Sequence, residues 1–184
     1  MSYTRHSKAS RRPVGQGTQI TYVALLLAVL IGMLHAAVAP VLAIGDVHPN
    51  LVLVAVVLVT ALGGFAPGVA WAFIGGLTAN LLTREPLGSV PLGLLLVAAG
   101  VAGGERLFGR LSWAYPVASV AIGSVLFDLI SLGILKMVDV PLAGGIPVGR
   151  IVAAALLNAV IAAIVIVPIR ILLARSGAVE KHAW

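Results

Sequence analysis

Long apolar runs separated by short polar breaks dominate the chain, and the longest run covers residues 51–82. It contains no charged residue. As one helix it would extend about 48 Å at about 1.5 Å per residue, whereas a bilayer core is about 30 Å thick. The sequence Gly-Gly-Phe-Ala-Pro interrupts the run at residues 63–67, and glycine and proline end helices readily. The pattern therefore predicts two short spans folded as a helical hairpin.

The other apolar runs predict four further helices. The first covers residues 20–42, and the fourth extends from about residue 87 to Glu105. Aromatic residues and a proline at 113–116 mark an interface and the start of the fifth helix, because aromatic rings favour the headgroup level of a membrane. The last helix covers residues 148–173. The prediction is an all-α membrane protein with six transmembrane helices.

Small residues recur every four positions along the second arm of the hairpin. In a helix this spacing places them on one face with almost no side-chain bulk. Such a face lets helices in a membrane approach closely and gain dispersion contacts. One interpretation is that this face packs against another helix of the same chain. The other is that it receives a partner's transmembrane helix or lines a ligand groove. This small-residue face, with Trp71 beside it, comprises Gly64, Gly68, Ala72, Gly75, Gly76 and Asn80.

Composition and charge support a multi-pass membrane protein and orient it. The chain has 184 residues, of which 60% are hydrophobic and 10% charged, with a mean hydropathy of +1.12. If six helices cross, nine of the twelve Lys and Arg residues lie on the side of the termini. Cytoplasmic segments are richer in these residues, which predicts two cytoplasmic termini. The predicted organisation is a basic tail at 1–19, a six-helix membrane domain at 20–174 and a second tail at 175–184.

Few polar side chains lie within the predicted spans, and their cost in hydrocarbon makes each one informative. Five of them fall toward the outer half of the bilayer. Asp128 is the most costly, and Lys136 or Arg150 could neutralise it. Three interpretations of these five residues are open. They form an internal hydrogen-bond network, they line an outward-facing pocket for a small ligand, or they form a contact surface for a partner's helix. This intramembrane polar set comprises His35, Asn50, Asn80, Asp128 and Asn158.

The sequence carries no motif of a known catalytic chemistry. It has no phosphate-binding loop, no His-Glu-x-x-His zinc motif and no Gly-x-Ser-x-Gly nucleophile turn. Without cysteine it has no disulfide or thiolate metal site. Glu105 and Asp128 fall at different levels of the predicted helices and do not form a carboxylate pair. We therefore expect a protein that is not an enzyme and uses no cofactor or metal.

Three segments between residues 47 and 97 share the pattern of one membrane-protein family. Pro49-Asn50 opens a Leu- and Val-rich span, the run G-V-A-W-A-F-I-G-G-L-T-A-N-L-L begins at Gly68, and Pro86-Leu87-Gly88 follows. In these segments the chain resembles the MreD family of bacterial rod-shape-determining proteins; its last two spans match only in pattern. Asn50 and Asn80 stand where that family usually has acidic residues. A hydrogen-bonding role survives this change, whereas a role that needs charge does not.

The resemblance implies a non-enzymatic inner-membrane scaffold for cell-wall elongation. Such proteins bind the bitopic protein MreC and act with RodA, a penicillin-binding transpeptidase and the MreB filament. The implied fold is similar to the six-helix substrate-binding subunits of energy-coupling-factor vitamin transporters. The alternative function is therefore such a capturing subunit, with the intramembrane polar set as its pocket and Ala24 and Ala28 as its docking residues. The short outer loops offer few groups to grip a ligand, which favours the scaffold.

Overall fold

The computed structural model describes residues 14–38, 41–43, 47–83, 85–108, 114–137 and 147–175. Within these ranges the chain forms six α-helices and no β-strand, which confirms the predicted all-α class. In chain order the helices are α1 (Val14–Val38), α2 (Leu51–Gly63), α3 (Phe65–Leu82), α4 (Ser89–Phe108), α5 (Ala114–Met137) and α6 (Val148–Arg175).

Three of the described helices are long and apolar enough to cross a membrane: Phe65–Leu82, Ala114–Met137 and Val148–Leu172. The apolar parts of the other three are shorter. Helix α2 has 13 residues, which gives it a length of about 20 Å, less than the thickness of a bilayer core. The described helices are thus compatible with a membrane protein, while the six crossings remain a prediction.

Helix α1 begins at Val14, inside the predicted basic tail at 1–19. The predicted boundary followed the onset of apolar residues, but a helix continues through polar residues when nothing interrupts its backbone hydrogen bonds. The rest of this tail and residues 176–184 of the second tail lie outside the described residues. The same holds for Trp113 in the predicted start of the fifth helix.

Helix α2 ends and α3 begins within the interruption predicted at residues 63–67. Gly64 has φ 89°, a left-handed conformation that glycine adopts without steric cost. Its N–H donates to the Thr60 carbonyl at 2.9 Å and so ends α2. Gly68 near the start of α3 lies against Thr60, whereas Gly75 further along lies against Val52 near the start of α2. These contacts run in opposite directions along the two helices, so α2 and α3 form an antiparallel hairpin.

Helix α2 forms the centre of the bundle. Eight of its residues are buried, and it contacts all five other described helices. Around it the helices follow one another in the order α1, α3, α4, α5 and α6, each in contact with the next. Among the described residues, α1 and α6 make no contact with each other. The ring around α2 therefore has an open seam between its first and last members.

Large apolar side chains cover the outside of the bundle. Helix α6 exposes a row at helical spacing that faces away from α2 and α5. A contiguous apolar surface of this kind is unfavourable in water and suits contact with lipid or another membrane helix. The row comprises Val152, Leu156, Val160, Ile164, Val167 and Ile171.

Candidate functional site

A polar cleft lies at one end of the bundle beside the seam. Its space of about 350 Å³ is bounded by the end of α1, the start of α2, the segment after α3, the second half of α5 and the start of α6. Consecutive helices alternate in direction, so these parts reach the same end. Four members of the intramembrane polar set line the cleft: His35, Asn50, Asp128 and Asn158.

Two asparagines and a serine tie three helices together at the base of this cleft. The backbone N–H of Asn50 donates to Asn158 Oδ1 at 2.8 Å, and Asn158 Nδ2 donates to Ser124 Oγ at 2.8 Å. Asn158 is only 1% exposed, and both ends of its amide have partners. This chain of hydrogen bonds links α2, α6 and α5, as an internal network that fixes helix register would do.

Asn50 also caps the central helix. Its Oδ1 accepts a hydrogen bond from the Leu53 N–H at 3.0 Å. The first turn of a helix has N–H groups without partners inside the helix, and an asparagine or aspartate oxygen satisfies one of them. The residue that lines the cleft therefore also fixes where α2 begins.

Charged side chains lie at the mouth of the cleft. Asp128, Glu85 and Arg150 line both this space and an adjoining space of about 170 Å³. Among the described residues, Arg150 and Glu85 act electrostatically on Asp128, but no hydrogen bond or direct ion pair joins Asp128 to either. Burial raises the pKa of the Glu85 carboxyl, and a hydrogen bond with the Ser89 side chain opposes this shift. Much of the Glu85 side-chain surface is nevertheless exposed, so neighbouring atoms crowd the carboxyl rather than the whole residue.

Two histidines complete the polar wall. His35 from α1 and His48 before α2 both line the larger space. His35 Nδ1 is buried and has no hydrogen-bond partner among the described residues, which is unusual because buried polar atoms nearly always have one. The described residues include no cluster of three side chains suited to hold a metal ion.

Asn80, the fifth member of the polar set, does not line the cleft. Its Oδ1 accepts from the Gly88 N–H at 2.5 Å, and its Nδ2 donates to the Glu85 and Pro86 carbonyls at 3.4 and 3.2 Å. Gly88 has φ 87°, a turn conformation that favours glycine. Asn80 is 1% exposed and organises the connection from α3 to α4 instead of a ligand site.

The small-residue face packs inside the chain. A Cβ added to Gly68 would collide with the Thr60 side chain of α2. One on Gly75 would lie 3.2 Å from the Ala28 carbonyl of α1, and one on Gly76 would lie 2.9 Å from Pro91 Cα of α4. Three helices thus approach α3 closely along this face. Its buried members are Gly68, Ala72, Gly75, Gly76 and Asn80; Gly64 and Trp71 are half-buried at its edge.

Comparisons with known proteins assign no family to this arrangement. No family model, curated protein or solved structure matches the chain. The possible functions therefore rest on the residues and their contacts.

The sequence reasoning missed part of the cleft wall. His48, Thr83 and Glu85 were outside the polar set because they lie in connections instead of predicted spans. The alternation of helix direction could have identified them, since it brings the connections α1–α2 and α3–α4 to the end of the bundle toward which the second half of α5 runs. Ser124 is also part of the network, and only its contact with Asn158 reveals that role.

Proposed function

We propose that the protein is a non-enzymatic inner-membrane scaffold of the cell-wall elongation machinery, similar to the MreD family. In this role it binds MreC and acts with RodA, a penicillin-binding transpeptidase and MreB. The observation that carries the proposal is that the three resembling segments belong to one packed unit. Pro49-Asn50 starts α2, the glycine-rich run is the packing face of α3, and Pro86-Leu87-Gly88 forms the turn into α4.

The two departures from the family pattern are compatible with this proposal. At Asn50 and at Asn80, the side-chain oxygen accepts a backbone N–H, from Leu53 and from Gly88 respectively. A carboxylate oxygen accepts the same kind of hydrogen bond. The chain therefore keeps one structural interaction that an aspartate at either position could make, and loses only the negative charge.

A partner's helix would dock on the outside of the bundle. Because α1, α2 and α4 cover the buried members of the small-residue face, these residues offer no surface to another protein. Helices α1 and α6 each contact only two described helices, so they have the largest unoccupied faces. Leu30 on α1 is 57% exposed and Ile164 on α6 is 68% exposed, and both are suited to contact with an apolar transmembrane segment.

The test is recovery of partners from native membranes with the tagged protein in mild detergent, followed by mass spectrometry. We expect a bitopic protein with a large periplasmic region together with wall synthases, and none of them with an unrelated tagged membrane protein. Leu30→Trp and Ile164→Trp form a matched pair, since each adds bulk to a lipid-facing position. Loss of the bitopic protein with one variant and not the other would map the docking helix. Wild-type protein that recovers no wall-synthesis component would overturn the proposal.

The cleft favours a second candidate, a substrate-capturing subunit of an energy-coupling-factor-type transporter. A polar space of about 350 Å³ open at one end suits a small ligand. The predicted docking of a coupling subunit on Ala24 and Ala28 has less support. Ala28 is buried with its carbonyl beside Gly75, so it offers no surface to a coupling subunit. Recovery of an ATPase pair and a coupling membrane subunit in the same experiment would favour this alternative over the scaffold.

A further inference from the structure

The cleft has two lobes of different chemistry that meet at a charged junction. The larger lobe is walled by His35, His48, Asn50 and Asn158. The smaller lobe extends between α4 and α5 and is walled mainly by apolar carbon. Its apolar lining includes Pro86, Leu132, Ile134 and Leu135.

Both signs of charge are present at this junction. Asp128 and Glu85 supply two carboxylates and Arg150 supplies one guanidinium, and all three line both lobes. Since Asp128 forms no direct ion pair with Arg150 among the described residues, each retains the capacity to bind an opposite charge from a ligand. Asp128 lies within a predicted span, where a charge is costly unless it finds a partner, so a ligand with both signs of charge fits this site better than a neutral one.

The hydrogen-bonding groups around the junction do not compete for this role. Asn158 uses its oxygen and its nitrogen within the protein, and Asn50 uses its oxygen to cap α2. Among the described residues of the wall, His35 Nδ1 is buried without a hydrogen-bond partner. The seam between α1 and α6 leaves this end of the bundle open to the surrounding membrane.

We infer that the cleft binds a zwitterionic amphiphile of the aminophospholipid type. Its ammonium group lies beside Asp128 and Glu85, its phosphate beside Arg150, and the start of its apolar part in the lobe lined by Leu132 and Leu135. A free solute with the same ammonium and phosphate groups shares this chemistry and would occupy the junction alone. The inference rests on the cleft and not on the proposed scaffold function, so the partner-recovery experiment neither supports nor excludes it.

The experiment is native mass spectrometry of the full chain released from nanodiscs that contain equal amounts of phosphatidylethanolamine and phosphatidylglycerol. We expect retained phosphatidylethanolamine to exceed phosphatidylglycerol by about tenfold, the ratio that one favourable charge contact of moderate strength provides. Equal retention of the two lipids by the wild-type protein would overturn the inference. This holds also if the cause of equal retention is a partner protein that occupies the cleft.

Two variants separate the two charge contacts. Asp128→Asn should bring the ratio of the two lipids close to one, because it removes a partner of the ammonium group. Arg150→Gln should lower retention of both lipids and leave their ratio largely unchanged, because both carry a phosphate. Lys136→Gln is the matched control: it changes a charge on the same helix as Asp128 but lines neither lobe, so it should behave as wild type. An unchanged ratio in folded Asp128→Asn would contradict the assignment, and Glu85→Gln provides the same test at an exposed position.

Competition with glycerophosphoethanolamine distinguishes the two sources of the ligand. Displacement of bound phosphatidylethanolamine by this soluble headgroup would show that the junction suffices for binding. Resistance to displacement, with the tenfold preference intact, would show that the apolar lobe contributes and that the ligand is a lipid.

Discussion

An added Cβ on Gly76 would lie 2.9 Å from Pro91 Cα, whereas the cleft at the seam contains about 350 Å³ of space. Both regions were singled out by unusual residues in an apolar sequence. On the small-residue face, α1, α2 and α4 of the same chain pack closely against Gly68, Gly75 and Gly76. In the cleft, Asn158 uses its side-chain oxygen and nitrogen in hydrogen bonds within the chain, while Asp128 and Arg150 form no direct ion pair among the described residues.

The difference shows how to distinguish residues that stabilise the fold from polar residues that are available to a ligand. A small residue cannot contact a partner's helix once a neighbouring backbone of the same chain covers it. Packing within the chain therefore accounts for the buried glycines of α3. A polar residue has a defined number of donors and acceptors. Asn80 and Asn158 use their side-chain amides within the chain, whereas Asp128 and Arg150 form no direct ion pair with each other among the described residues.

The largest expected effect follows from filling the small-residue face. Gly76→Leu places a side chain where Pro91 and Leu94 already lie, and overpacking of this kind costs about 3 kcal/mol when backbone must move. We expect loss of monodisperse protein in gel filtration and a lower thermal unfolding midpoint. Gly133→Leu is the control, since a Cβ at Gly133 meets no atom within 4 Å. If Gly76→Leu were as stable as Gly133→Leu, the face would not be closely packed.

Asn80→Ala should have the next largest effect. It leaves the Gly88 N–H without its Asn80 partner and removes two hydrogen bonds to the Glu85 and Pro86 carbonyls, at a cost of about 2 kcal/mol in the free energy of unfolding. The measurement is unfolding by denaturing detergent, monitored by tryptophan fluorescence. Asn80→Asp keeps the acceptor and should lose less. Equal losses for the two variants would mean that the contact with Gly88 contributes little.

Asn158→Leu tests the network under the cleft. The substitution leaves the Asn50 N–H and the Ser124 hydroxyl without their partners. Hydrogen bonds between membrane helices are worth about 0.6 kcal/mol on average, so we expect a loss of about 1 kcal/mol in the same unfolding measurement. Ser131→Ala, on the same helix as Ser124 but outside this network, should leave stability unchanged. A fully stable Asn158→Leu protein would show that the network does not fix helix register.

Asn50→Asp should have the smallest effect. It should change the free energy of unfolding by no more than about 0.5 kcal/mol, because an aspartate oxygen caps a helix as well as an asparagine oxygen does. Asn50→Ala should cost about 1 kcal/mol, since the Leu53 N–H then loses its acceptor. The thermal unfolding midpoints of the two variants give the comparison. A large loss for Asn50→Asp would mean that the negative charge is not tolerated beside the cleft.

The sequence was sufficient to predict six helices and the hairpin, because Gly64 and the apolar runs act locally, but not the bounds of α1, which covers Val14–Val38 instead of residues 20–42. It was also sufficient to choose four residues of the cleft, since His35, Asn50, Asp128 and Asn158 are conspicuous in apolar surroundings. It could not separate Asn80 from them, because only the turn at Gly88 shows where that amide is used. The open seam was not predictable either: it depends on which helices surround α2, and no local pattern specifies this order.

Cysteine accessibility tests most directly the claim that the buried members of the small-residue face are inaccessible while the cleft is open. The chain has no native cysteine, so Ser131→Cys in the smaller lobe and Ala72→Cys on the small-residue face each give one reactive site. In native membranes, we expect a small charged thiol reagent to label Ser131→Cys rapidly and Ala72→Cys only after denaturation. Rapid labelling of Ala72→Cys together with protection of Ser131→Cys would contradict the account.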